Sequence, residues 1–548
     1  KKIIRKKLLP LVMAVILTVG LLPQTVLAAD PSGNWSDSGN YVEPSNDGVT
    51  YTVTSAAELA WVAVQVNQGY SDFESCTIEL SEELTEPIDL SEHYWTPIGS
   101  DDGAFKGVFD GNLNTIANMT IGAFGDPANY DYLGLFGRTA DAEIRDFALT
   151  DAVIYGDSQY TGSVVGYAAA TEIFQCTVSG ILYDYYDSSD LSGFGGLTGC
   201  AADRTVVTLC GMRGPLTSTS SSDDIRCVGG LIGLTKGYAA IANCYAECDI
   251  NIERAYSNVG GFIGRAGNLT TITGCWTYGG IQNDYEATVI GGFAGIISGE
   301  AGNGLSTVPV IENCFAEVYV DSTSVYAEVY GDSTAQSSAG GFAGSVYLAT
   351  IRNCCATDSV IGGTNSNVGG FIGLVRISLM ENCYAAGSTA GGIGSDVGAF
   401  IGHDEPIEDQ FSYIYTSYWN SDAADEPVGY GYTTSYNLTE LTTEEMQASD
   451  FADTLSQNAE SIMDSTKTGS LDAWIAYGDD YPILDRGAWG KPLAIGVTAS
   501  GTAGIGQTLT GSYTYYDADG DAESGTVVRW LYSTDPYGLS WFCLDGAN

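Results

Sequence analysis

Thirteen cysteines and two histidines are the side chains of this 548-residue sequence with the most distinctive chemistry. Cys176, Cys210, Cys244, Cys275, Cys314, Cys354 and Cys383 fall at one position of a recurring motif. One cysteine per repeat, beside an apolar column, reads as a small buried hydrophobe rather than as a loop cross-link. Disulfides between stacked neighbours would strain side chains that point in parallel. Cys244-x-x-x-Cys248 and Cys354-Cys355 lack a second pair at zinc-ligand spacing. His93 and His403 belong to no H-E-x-x-H motif and no Cys–His couple, so the chain carries no zinc-peptidase signature of its own. Paired acids are Asp101-Asp102 and Asp223-Asp224, the latter near Arg204 and Arg226. Their types would suit glycoside chemistry or calcium-assisted lysis. Among 68 acidic residues, however, such neighbours arise by chance and read as solvated faces. Asp517, Asp519 and Asp521 offer carboxylates to calcium, but Gly520 is fourth in that stretch, where an EF-hand needs Gly sixth. A solvated acidic turn is the competing reading. No catalytic residue is assigned, and calcium is the one cofactor the pattern admits.

The elements that position these residues are repeats of G-G-[FL]-x-G followed by I-x-N-C-[YFW]. Full or near-full copies start at Gly229, Gly260, Gly291, Gly340 and Gly369, and degenerate copies at Leu133, Gly162, Gly195 and Gly398. Successive starts are 29, 33, 34, 31, 31, 49, 29 and 29 residues apart. A period near 30 without helical patterning predicts a β-solenoid. The third motif position, from Leu135 and Val164 to Phe371 and Phe400, predicts an inward column with one member per coil. Ile and Cys of I-x-N-C are three apart, an offset that places both inside only if the chain turns between them. Asn243, Asn313, Asn353 and Asn382 therefore read as a ladder of left-handed corners, and equally as ordinary turn asparagines.

Residues 51–132 read as an N-terminal cap and first coils, with Ser55-Ala56-Ala57-Glu58 as a capping box opening a helix over Ser55–Asn67. Residues 133–420 are the repeats. Residues 421–490 read as a C-terminal cap, with Thr442-Thr443-Glu444-Glu445 as a second capping box and a helical stretch to about Gln457. At the front, Lys1, Lys2, Arg5, Lys6 and Lys7 precede an apolar run from Leu8 to Leu22, closed by Pro23 and Val26-Leu27-Ala28; residues 1–29 read as an export signal. Residues 30–50 are a linker. Removing the signal leaves 15 basic against 68 acidic residues, a net charge of −53. Such a charge disfavours nucleic acid and anionic membrane surfaces. No segment is expected to insert in a membrane after signal removal. With Lys1 in place of Met and Asn548 inside a patterned segment, a longer reading frame is expected.

The repeats, the Ala57-Glu58-Leu59 helix, Trp95-Thr96-Pro97-Ile98-Gly99, Phe105-Lys106-Gly107-Val108-Phe109-Asp110-Gly111 and Leu441-Thr442-Thr443-Glu444-Glu445-Met446 together resemble the GLUG-motif β-helix proteins. These are large, mainly bacterial, secreted or surface proteins, and the same module precedes the peptidase domain in the immunoglobulin-A1-protease family. The resemblance implies an all-β, right-handed parallel β-helix with short helical caps, displayed outside a bacterial cell, and it brings no catalytic residue. Residues 491–548 resemble a partial immunoglobulin-like β-sandwich of bacterial surface proteins.

The expected role is thus non-catalytic: an adhesive or structural stalk whose partner is an extracellular protein or glycan, or the cell wall. The alternatives are the non-catalytic front of a secreted peptidase and a polysaccharide-active β-helix enzyme. The 49-residue interval from Gly291 to Gly340 holds the extra length, before Ile311 and after Val318, and additions there must project from the rod. Tyr319, Tyr326 and Tyr330, in the 11-residue duplication of that interval, are the candidate ligand contacts, and a plain extra hairpin is the bland alternative.

Overall fold

The computed structural model describes residues 31–485 except 187–190, 220–224, 254–255, 284–287, 301–307, 323–336, 408–409, 432–435, 467–470 and 478–479. Beyond 485 it describes only the strands Leu493–Ser500, Thr510–Tyr516, Leu531–Tyr532 and Phe542–Cys543, paired antiparallel as two hairpin-like units. The signal segment 1–29 and Asp517, Asp519, Asp521, Tyr326 and Tyr330 lie outside the described residues.

The chain is all-β and winds as a parallel solenoid of about 11 turns. Its walls are ladders of 25, nine and ten strands. The repeat glycines stand in one register across the nine-stranded ladder: Gly195, Gly229, Gly260, Gly291, Gly340, Gly369 and Gly398 pair in succession. The second glycine of each motif lets the next coil approach. A Cβ on Gly230 would stand 2.0 Å from the Gly261 carbonyl oxygen, closer than any side chain can tolerate.

The columns form as the repeat requires. Leu135, Val164, Leu197, Leu231, Phe262, Phe293, Phe342, Phe371 and Phe400 are completely buried. The last five stack face to face with centroids 4.7–4.9 Å apart, which is the strand spacing written in side chains. The turns beyond the nine repeats come from the N-terminal segment. There Thr50–Val53, Thr77–Leu80 and Val108–Ala117 pair in parallel without any pentapeptide motif. Helix α1 (Ala56–Asn67) buries Leu59, Val62, Ala63 and Val66 in the same core as these first coils. Its cap differs from a reciprocal box. Ser55 Oγ accepts from Glu58 N at 3.4 Å, but the Glu58 carboxylate reaches past Ser55 to accept from Thr54 N at 2.6 Å and Thr54 Oγ1 at 2.7 Å.

Cys176, Cys210, Cys244, Cys275, Cys314, Cys354 and Cys383 are fully buried, and the twelve cysteines from Cys76 to Cys383 are thiols rather than disulfides. Burial raises Cys354 to about 11 and Cys200 to about 12, so both stay protonated at neutral pH. Only Cys76 is partly exposed among the twelve. A thiol reagent at pH 8 is therefore expected to reach Cys76 and to leave the seven column thiols intact until denaturant is added. Mass spectrometry showing the column modified in the native state would contradict this packing.

The corner reading holds at every asparagine named: φ is +53° at Asn243, +56° at Asn313 and Asn353, and +55° at Asn382, with Gly274 at +65° where the motif lacks Asn. The ladder also has a second task. Asn353 Nδ2 donates to Asn313 Oδ1 at 2.8 Å and Asn382 Nδ2 to Asn353 Oδ1 at 2.7 Å, while the same amides receive the C-terminal segment. Asn382 donates to the Leu455 carbonyl, Asn353 to that of Asp472, and Trp474 Nε1 donates to Asn353 Oδ1 at 2.6 Å.

That segment departs from the single helical stretch read from sequence. Helix α2 (Thr443–Met446) carries the complete capping box of Thr442 and Glu445. Helix α3 (Ser449–Thr466) follows separately and packs along the flank. Phe451 and Leu455, with Trp474 of the closing hairpin, lie on Cys355, Tyr384 and Tyr418, which follow the corners on the outer wall. Ring edges meet ring faces here: Phe451 is T-shaped to Tyr384 at 5.5 Å and to Tyr418 at 5.0 Å.

Candidate functional site

On the described residues two flanks concentrate polar and aromatic side chains. The first is the outer wall formed by Tyr245–Glu253, Trp276–Asn283 and Phe315–Ser322, which lie in register. Period-two alternation turns Ala246, Ile250, Ile281, Ala316 and Val318 inward and sets Tyr245, Trp276 and Phe315 in an outer stack. Their centroids are 5.0 and 5.9 Å apart. Arg213 closes this stack over the Tyr245 ring at 5.2 Å and pairs with Glu247. Tyr278 and Tyr319, 55% and 39% exposed, extend the aromatic surface.

Tyr319 is therefore not on a projecting insert. It belongs to the strand Phe315–Ser322, opposite Gly280, and its hydroxyl donates to Asp321 Oδ2 at 3.3 Å. The ladder resumes across the long interval without losing register, since Val289 pairs with Ser338 and Phe342 stacks on Phe293. The segments 301–307 and 323–336, where the additional length falls, lie outside the described residues together with Tyr326 and Tyr330. Burial and Asp321 raise Tyr319, and burial with Asp358 raises Glu317. The wall thus offers neutral rings and carboxylate acceptors, a surface for hydrogen-bonding or cationic groups.

The second concentration is a shallow groove lined by Lys106, Asp141, Glu143, Glu172 and Arg204. Glu143 and Glu172 stand opposite on neighbouring coils. Arg145 holds Glu143 at 2.8 Å and Asp110 at 2.8 Å. Burial and the charge of Glu143 raise Glu172. The groove is open to water, and Glu143 is already engaged in an ion pair.

The residues with chemistry suggested by sequence are dispersed. Asp101 binds the Tyr132 hydroxyl and Arg138. Arg226 points away from any substrate: with Asp184 it forms an ion pair at 2.6 Å in which both side chains are inaccessible. His93 Nδ1 contacts the Ser32 carbonyl beside Trp35, whereas His403 contacts Asp396 and packs on Tyr430 in the last coils. Asp223 and Asp224 lie outside the described residues. The buried pair escaped sequence reading because its partners are 42 residues apart and share no motif. Among the described residues no group of three or more His, Cys, Asp or Glu could hold a metal ion, and no helix is long and apolar enough to cross a membrane.

Over the described residues, fold and flank together define a parallel β-solenoid with a filled interior and with polar and aromatic surfaces on its outer walls. No protein-family profile and no curated protein matches the chain. Among solved structures, a crystal structure from Bacteroides ovatus provisionally described as an immunoglobulin A1 protease is 16% identical with a TM-score of 0.36, covering 57% of this chain and 87% of that one. A second, described as IgA1 protease, is 18% identical with a TM-score of 0.35, covering 57% of this chain and 22% of that one. The chain thus spans about a fifth of the latter's length.

Proposed function

We propose that this chain is the non-catalytic β-helix region of a secreted, larger protein of the immunoglobulin-A1-protease type. The observation that carries the reading is the solenoid interior, filled coil after coil by Leu, Ile, Phe and Cys side chains. Such a stack sets distance and orientation for what is attached to it. The motif combination, which resembles the module ahead of the peptidase domain in that family, supports the same reading, and the basic, apolar segment 1–29 supports export. A second reading, an adhesive or structural stalk that binds host protein or glycan, is favoured by the exposed Tyr278 and Tyr319 on the outer wall.

The test is to incubate the purified chain with immunoglobulin A1 and with a panel of polysaccharides, following peptide cleavage and new reducing ends. Neither product is expected. Sequencing the reading frame past Asn548 is expected to reveal an H-E-x-x-H peptidase segment. Depolymerisation by this chain that disappears in Glu172→Gln or Glu143→Gln would overturn the non-catalytic reading in favour of a polysaccharide-active enzyme.

A further inference from the structure

The aromatic outer wall has a gap at its centre. Its strands Tyr245–Glu253, Trp276–Asn283 and Phe315–Ser322 lie in register. Their outward side chains therefore form a grid, with rows about 4.8 Å apart and steps of roughly 7 Å along each strand. Glu247, Asp249 and Asn251 make the first row, Tyr278, Gly280 and Gln282 the second, and Glu317, Tyr319 and Asp321 the third. Eight side chains thus surround one position, Gly280, that has none.

Folding does not demand that glycine. Gly279 beside it is constrained twice, by a φ of +139° and by the Cys248 carbonyl oxygen, 2.1 Å from where a Cβ would stand. Gly280 has no positive φ, and a Cβ on it would come no closer than 3.5 Å to Asp249 Oδ1 and 3.9 Å to the Tyr319 carbonyl oxygen. A side chain would fit, and its absence leaves a shallow depression in an otherwise regular surface.

The rim sets the chemistry of an occupant. Asp249 leans over the floor and accepts from Gly280 N at 3.1 Å. Tyr278 and Tyr319 stand exposed on two sides. Of the four rim carboxylates, Glu247 is matched by Arg213, whereas burial, Asp358 and Asp480 raise Glu317. Among the described residues no group of three or more His, Cys, Asp or Glu could hold a metal ion, so the acids ring the depression without forming a chelate. Carboxylates beside aromatic rings, on a chain of net charge −53, complement an organic cation.

We infer that the depression at Gly280 receives an arginine side chain from a protein partner. The planar guanidinium pairs with carboxylate through its fork and lies against a tyrosine ring, two contacts that a lysine ammonium makes less well. The inference rests on the reading of this wall as an adhesive surface and narrows its partner to a protein with an exposed arginine.

The experiment is a ligand-observed NMR titration of the full chain at low salt with the blocked tripeptides acetyl-Gly-Arg-Gly-amide, acetyl-Gly-Lys-Gly-amide and acetyl-Gly-Gln-Gly-amide, and with a panel of glycans. The arginine peptide is expected to bind with a Kd below roughly 10 mM, at least about threefold more tightly than the lysine peptide, and to weaken as salt is raised. Gly280→Leu fills the depression and is expected to lower that affinity at least about tenfold while keeping the parent's unfolding midpoint, since the site has room for a side chain. Asp249→Asn and Tyr278→Ala are each expected to lower it about fivefold; they carry the test if Gly280→Leu misfolds by circular dichroism. Asp151→Asn, at an exposed corner of another coil, is expected to leave it unchanged. Full affinity in Gly280→Leu, equal binding of the lysine or glutamine peptide, or an equal loss in Asp151→Asn would overturn the site. Binding of a glycan without any arginine peptide would overturn it and leave the adhesive reading standing, and binding of neither would remove both.

Discussion

Removing one partner of the buried Arg226–Asp184 pair, as Asp184→Ala or Arg226→Ala, is expected to destabilise the surrounding coils by about 3–5 kcal/mol. The size follows from the enclosure. Neither side chain is accessible to water. Asp184 also accepts from Ser218 Oγ at 2.8 Å, and Arg226 donates to the Gln159 carbonyl at 2.8 Å and faces the Tyr186 ring at 5.0 Å. Deleting the carboxylate leaves a buried guanidinium against the Gln159 carbonyl and the Tyr186 ring. Deleting the guanidinium removes two charge-assisted hydrogen bonds from the buried carboxylate. Replacing both, as Asp184→Leu with Arg226→Met, is expected to cost far less, since no charge is then left uncompensated. Native-state hydrogen exchange is the suitable readout, because a repeat array need not unfold as one unit. Faster exchange is expected in the coils holding Thr177–Asp184 and Arg226–Gly229. Single variants whose exchange and unfolding midpoint match the parent would disprove the assignment.

Phe342→Ala is expected to cost a comparable amount, about 3–5 kcal/mol, by opening a cavity at the centre of the ring stack. Phe342 is completely buried and stacks at 4.9 Å on both Phe293 and Phe371, so the change removes two aromatic contacts with the volume. Phe342→Leu is expected to stay under about 1.5 kcal/mol, since Leu fills the same position at Leu197 and Leu231. In a solenoid each coil leans only on its neighbours, and a gap at one coil weakens the coupling between the two halves. Chemical denaturation of Phe342→Ala is expected to broaden or split into two transitions. A single sharp transition at the parent's midpoint would refute the stack's contribution.

The two variants probe features of different legibility. The phenylalanine column could be read in advance because steps of 29 to 31 residues, with one of 49, place the same residue type at the same point of the motif, and stacking translates the repeat directly into contact. The cysteine column and the asparagine corners follow the same logic. Arg226 was legible only as a basic residue near acidic ones, and nothing in its sequence neighbourhood pointed to Asp184. Its carboxylate arrives from the preceding coil at Asp184, a position with no distinguishing pattern. Tyr319 shows a subtler failure. The duplication beginning at Ala316 looked like added chain, yet its first copy is the regular strand of the coil.

The amino-acid sequence by itself determined the coil period, the identity of each inward column, the left-handed corners and the existence of helices at Ala56 and Thr443. All of these depend on residues close in sequence or repeated at a constant interval. The tertiary structure decided where the C-terminal helix goes, which cations are paired with which acids, and which tyrosines share a face. Those outcomes depend on contacts between residues tens to more than a hundred positions apart, as between Asn353 and Trp474. Such contacts form only after the stacked coils have set their side chains side by side, and no local pattern records them.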